Sequence, residues 1–107
     1  MLVKYHVRLA MVAKADLTEI LNYIAVDHPT AADKLERHFA ERLKSLRRDP
    51  ERFPKIREKF HTKFIYRHIL INSYRIIFRI FGSEVLVVRI IHQARLLTRD
   101  MLFGLMN

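Results

Sequence analysis

Apolar and polar residues alternate along this chain with two different periods. Val3, Tyr5, Val7 and Leu9 interleave with Lys4, His6 and Arg8, and a period of two predicts a strand over residues 2–9 with one wet face. Its charges suit the edge of a sheet. From about residue 13 to 27 the period becomes helical, with Ala13, Leu17, Ile20, Leu21 and Ile24 in one stripe. Pro29 stops that helix, and Thr30 with Asp33 three residues on has the form of a capping box for a second one, running to about residue 48. Leu35, Phe39, Leu43 and Leu46 make its inner stripe. The short connection predicts an antiparallel helical hairpin whose apolar faces need a sheet to cover.

The segment DPERFPKIREK reads as a loop, since Pro50 and Pro54 cannot sit inside a helix. Two strands follow across an Asn72-Ser73 turn, residues 64–71 and then YRIIFRIF, and a third, EVLVVRIIH, comes after Gly82-Ser83. A C-terminal tail is expected to be helical from about residue 96 to 106. The expected fold is therefore α+β with the order β-αα-βββ. The helical hairpin packs on one face of a small, mainly antiparallel sheet, in one domain spanning 1–107.

Two-residue turns fix a register. Arg79 falls opposite Leu86, Ile77 opposite Val88, Arg75 opposite Ile90, and Leu70, His68 and Tyr66 opposite Arg75, Ile77 and Arg79. One face then collects Tyr66, His68, Arg75, Arg79 and His92 around an apolar strip, while Ile65, Ile69, Ile71, Tyr74, Ile76, Phe78, Ile80, Val85, Val87 and Ile91 share the other. The second set belongs under the helices. The first, with Arg95 beyond the last strand, is expected to be a basic surface open to a partner. Arg67 and Arg89 fall on the apolar face, where an unpaired charge is costly. They snorkel at its margin, pair with a helix carboxylate, or show that a turn is longer than two residues.

Charge sharpens this picture. The 107 residues carry a net charge of +9, with 20 Lys and Arg against 11 Asp and Glu, a balance suited to a polyanion or an acidic protein. Between residues 61 and 99 there are seven Lys and Arg and the single acid Glu84. No apolar run is long enough for a membrane span. With no cysteine there is no thiolate metal site. His6, His28, His38 and His61 lack metal-ligand spacing, and nothing calls for a cofactor or a metal. A cytoplasmic protein is the simplest expectation.

The pieces KADLTEILNYIAVDHPTAADKL, DPERFP, YRIIFRI and VLVVRIIHQARLL, in this order and spacing, resemble the RelE/ParE superfamily of toxin–antitoxin toxins over nearly the whole chain. The long hairpin and the ending IIHQARLL are more similar to the ParE branch. The resemblance implies a toxin of a type II, plasmid-stabilising module, neutralised by a cognate antitoxin. The antitoxin is expected to meet the hairpin at Leu35 and Phe39 and the tail at Leu102 and Phe103, and to extend the sheet at an open edge. A homodimer or a toxin–antitoxin heterotetramer follows from the family. The implied target is DNA gyrase for ParE-like chains, and the ribosome with its mRNA for RelE-like ones.

The two branches need different chemistry. A ribonuclease must activate a ribose 2′-OH, stabilise a phosphate and protonate a leaving oxygen. For that role the resemblance offers Arg75 as the phosphate contact, and the shared face offers His68 and His92 as acid and base. RelE-like chains carry a basic residue where Gln93 stands and a tyrosine near Thr98 or Arg99; here no tyrosine follows Tyr74. The expectation is thus a gyrase inhibitor that acts by binding. A ribosome-dependent endoribonuclease is the alternative, and a degenerate toxin or basic binding module the second alternative.

Overall fold

In the computed structural model, which describes residues 4–103, the chain runs β1 (His6–Leu9), α1 (Met11–Asp27), α2 (Pro29–Ser45), β2 (Tyr66–Ile71), β3 (Tyr74–Phe81), β4 (Glu84–His92) and α3 (Arg99–Phe103). A 3-10 turn at Pro50–Arg52 interrupts the loop before β2. The sheet order is β1-β4-β3-β2, with β1 parallel to β4 and the other pairs antiparallel. This is the α+β arrangement the periodicities predict, and the charged alternating strand β1 does lie at an edge. Residues 2 and 3, and the tail beyond 103, fall outside the described residues.

Both helical stripes face the sheet. Ala13, Leu35, Phe39 and Leu46 are buried with Ile69, Ile71, Ile76, Phe78, Val85, Val87 and Ile90. Leu17, Ile20, Leu21, Ile24 and Leu43 pack around them. Each fully buried Ile or Phe side chain contributes on the order of 2 kcal/mol. The capping box does not form. Pro29 occupies the first turn of α2, His28 is its N-cap without a side-chain bond, and Thr30 is inside the helix. Pro suits that position because its missing N–H would be unpaired there anyway.

Both tight turns form as expected, since Ile71 pairs with Tyr74 and Phe81 with Glu84. Asn72 and Gly82 take the first central positions with φ of 48° and 58°. The β2–β3 register is the predicted one throughout. Between β3 and β4 it holds only as far as Phe78 and Val87. A β-bulge at Val88 then makes Ile77 the partner of Arg89, Arg75 of Ile91 and Tyr74 of His92. The extra residue reverses the faces beyond it. Ile90 joins the helix-side core and Ile91 the opposite one, a correction of the turn-based pairing, which carries no information about bulges.

The bulge also settles Arg89. β1 pairs with β4 only as far as Val87, so the β4 edge beyond it lies next to the start of α1. Asp16 of α1 accepts a bidentate pair from Arg89, Nε–Oδ2 and Nη2–Oδ1 both 2.8 Å, and also the Ile90 N–H at 3.0 Å. Arg89 Nη1 donates to the Met101 carbonyl at 3.2 Å. One aspartate thereby replaces the missing strand neighbour and joins α1, β4 and α3. Arg67 sits at the sheet margin, half-buried, and donates to the Phe53 carbonyl at 2.7 Å.

The face opposite the helices is not open. Tyr66, Ile77, Val88, Ile91 and Leu97 form a second buried cluster, covered by Ile56, Phe60 and Phe64 of the loop and by Met101, Leu102 and Phe103 of the tail. Asp16→Ala is expected to lower stability by about 2–4 kcal/mol, because it strands a mostly buried guanidinium and a strand N–H. Urea unfolding measures it, and a loss within about 0.5 kcal/mol would show that the aspartate does not hold this junction.

Candidate functional site

The six residues expected to form one basic surface divide into three environments. Arg75, the residue offered as a phosphate contact, is fully buried. Its Nη1 donates to Glu58 Oε1 at 2.9 Å, and Nη2 donates to Glu58 Oε2 and, at 3.0 Å, to the Arg95 carbonyl. Glu58 also accepts the Leu97 N–H at 2.8 Å, and its side chain is 5% exposed. The pair ties the loop before β2 to the segment after β4 across the end of β3. Burial alone would raise the Glu58 carboxyl, but the bonds from Arg75 and Leu97 outweigh it and bring it down to about 2.

Tyr66 is buried too. Its ring meets Phe64 and Phe103 edge-on at centroid distances of 6.4 and 6.3 Å, and burial raises its hydroxyl pKa. Arg79 is half-buried and stacks over the Phe64 ring at 4.2 Å. His68 lies beside Arg75 on this face, half-buried, with Nδ1 buried and unpartnered. Burial, followed by the neighbouring Arg75 charge, lowers its pKa.

His92 is elsewhere. The bulge pairs it with Tyr74, whose ring it meets edge-on at 5.6 Å and which packs on the helix side of the sheet against Phe39. The His92 ring is exposed, and Nδ1 accepts the Ala94 N–H at 3.0 Å. His68 and His92 are therefore not on one face, and Arg75 is not on a surface. Arg95 is exposed at the sheet end. Gln93, standing where a basic residue would be, closes the β2–β3 turn: Nε2 donates to the Asn72 carbonyl at 2.6 Å and its N–H to Ser73 O at 2.7 Å.

The candidates for antitoxin contact are likewise placed inside. Leu35 and Phe39 are core residues of the hairpin, so their side chains are not presented to a partner. Leu102 and Phe103 are half-buried in the cover of the second cluster. The reason these placements were missed is the partner, not the residue. Glu58 stands in a charged loop among Arg57 and Lys59, with no period to mark it as internal.

The accessible chemistry lies at the sheet edges. The β2 edge is covered, since Ile56 N–H donates to the Tyr66 carbonyl and His68 N–H to Pro54 O, at 3.0 and 3.1 Å. The β1 edge is free beyond Tyr5. The His6 N–H donates to Ser83 O just before β4 and the Ala10 N–H to Val87 O within it, so by strand alternation the N–H groups of Val7 and Leu9 turn outward. Beside them is a groove of about 400 Å³ lined by Val7, Leu9, Ala40, Leu43, Lys44 and Arg47. Among the described residues no group of His, Asp and Glu is arranged to hold a metal, and no helix is long and apolar enough to cross a membrane.

A basic α+β domain with a helical hairpin on one face of a four-stranded sheet ordered β1-β4-β3-β2 is the arrangement that the RelE/ParE resemblance implies. The chain belongs to the ParE toxin family: the family described as ParE toxin of the type II toxin–antitoxin system, parDE, matches residues 7–97. Among solved structures it is similar to a chain of the chromosomal ParDE TA system from P. aeruginosa, with TM-score 0.69 and 21% identity over 83% of this chain and 96% of that one. It is also similar to a chain of the RelBE2 toxin–antitoxin complex from Mycobacterium tuberculosis, with TM-score 0.56 and 24% identity over 87% and 95%. Among curated proteins none matches the sequence.

Two pH-dependent losses of stability follow. Below pH 6.5 the unfolded chain protonates His68 while the folded one resists, so stability falls as pH drops from 6.5. The Glu58 contribution is complete above pH 4.5 and is lost as pH falls towards about 2, at a cost of about 3 kcal/mol in all. Glu58→Gln should lower stability by about 3 kcal/mol at neutral pH and flatten the acid limb below pH 4.5. Denaturant unfolding across pH checks both, and an unchanged acid limb would contradict the assignment.

Proposed function

We propose that this ParE-family chain acts on DNA gyrase by binding, and that a cognate antitoxin neutralises it at the free β1 edge. The observation that carries the binding mode is the state of Arg75. An arginine that stabilises a scissile phosphate must reach solvent, and here it is fully buried against Glu58. Removing it from that pair would leave a buried carboxylate uncompensated. The two histidines that would serve as acid and base stand on opposite sides of the sheet, outside the reach that proton transfer needs. Gyrase as the target rests on membership of the ParE family.

The antitoxin reading rests on the edge. The outward Val7 and Leu9 N–H groups offer main-chain bonds to an added strand, and the groove against Ala40, Leu43, Lys44 and Arg47, of mixed polar and apolar lining, takes alternate side chains. Lys44 and Arg47 on its rim favour an acidic segment. The other edge is already bonded to residues 54–56 at Tyr66 and His68.

Two assays test this. The purified chain is expected to inhibit gyrase supercoiling and to leave mRNA on programmed ribosomes intact. Ribosome-dependent cleavage that disappears in His92→Ala would overturn the binding mode. Val7→Pro removes an outward N–H without touching the β4 ladder, and should weaken antitoxin binding about tenfold with an unchanged circular dichroism spectrum. Unchanged affinity would move the antitoxin to another surface.

A further inference from the structure

The C-terminal end of α2 holds a concentration of positive charge that the fold does not require, of which only Lys44 and Arg47 also reach the proposed antitoxin groove. Lys4, Lys44, Ser45, Arg47, Arg48 and Arg52 line a concavity of about 360 Å³, and no carboxylate is among its walls. None of the five cations has a carboxylate oxygen within 4.0 Å among the described residues, although four other ion pairs form.

The backbone forces these charges together. Tyr5 N–H donates to the Arg47 carbonyl at 2.8 Å, and Lys4 and Arg48 pair in an antiparallel bridge. Directly opposed residues project to the same side, and like charges in that position repel. Arg52, itself exposed, is held in place by the backbone. Its Nη1 donates to the Arg48 carbonyl and, at 3.0 Å, to Asp49 O, its Nη2 donates to Ser45 O at 3.3 Å, and the guanidinium lies 4.3 Å over the Phe53 ring. Asp49, with φ of 48°, turns the chain so that these carbonyls converge. The carbonyls at the end of α2 offset part of the charge at Arg52. Lys4, Lys44, Arg47 and Arg48 remain exposed.

We propose that this pocket is a binding site for the phosphodiester backbone of a nucleic acid. A single carboxylate would neutralise one cation and leave the others facing each other. A backbone presents successive phosphates, and the forked donors of Arg47 and Arg48 match phosphate oxygens. The site reads charge and geometry, not base sequence. It is independent of the gyrase reading, because the chain would bind nucleic acid with gyrase absent.

The test is fluorescence anisotropy of a labelled DNA duplex of about 20 base pairs with the purified chain, over a salt series of roughly 50–200 mM. Lys4→Ala and Arg48→Ala should each weaken binding at least about threefold at low salt, and lower the slope of log affinity against log salt by about 0.9. Lys34→Ala, on α2 but outside the pocket, is the control and should match the wild type. Unfolding midpoints of the two pocket variants should be no lower than wild type, which separates lost contacts from lost structure. An equal loss in Lys34→Ala would show diffuse charge and overturn the site. So would duplex affinity unchanged in both pocket variants. Binding of inorganic phosphate alone, or displacement of DNA by polyglutamate as readily as by unlabelled duplex, would overturn the nucleic-acid assignment.

Discussion

The buried pair between Arg75 and Glu58 is the constraint that organises the second face of this molecule. A guanidinium taken fully out of water is tolerated only when its charge and donors are met. Glu58 meets the charge and both terminal nitrogens, leaving Nε unpartnered, with further bonds to the backbone at Arg95 and Leu97. Because those partners lie on two separate segments, the loop before β2 and the chain after β4 are fixed against the same strand. The apolar cover of Phe60, Phe64, Leu102 and Phe103 then closes over Tyr66, Ile77 and Ile91. The sheet thus has a layer on each side, and its chemistry moves to the edges.

A second polar junction performs the corresponding service at the other end. Asp16 ends the exposed edge of β4 where β1 stops, and Arg89 carries the link through to α3. The bulge at Val88 makes this geometry available by turning Arg89 out of the strict alternation. Two arginines of one hairpin, the first expected on the open face and the second on the apolar face, therefore act as internal struts, each matched to one carboxylate distant in sequence. Arg79 instead spreads over an aromatic ring at the margin, where its head stays partly hydrated.

Functionally, charge that is paired inside cannot meet a substrate, whereas the cations at Lys4, Lys44, Arg47 and Arg48 stay exposed. They precede in sequence the basic strands that dominate the composition. Net charge located by sequence is a poor guide to charge located in space.

Much of the architecture was legible from the chain alone, for reasons that are local. Strand alternation, the helical stripes at Leu17–Ile24 and Leu35–Leu46, and the two tight turns each depend on neighbours a few residues apart. The edge position of β1 followed from its charges, and the β2–β3 register from one turn. The family itself was readable because its pieces keep their order. What tertiary structure alone decided was non-local: the one-residue bulge that exchanged Ile90 and Ile91 and parted His92 from His68, and the pairing of Arg75 with Glu58 and Arg89 with Asp16. A bulge leaves no period, and a carboxylate in a charged segment carries no mark of the distant cation it will meet. The identity of the site thus rested on contacts across 17 and 73 residues, which only the folded chain brings together.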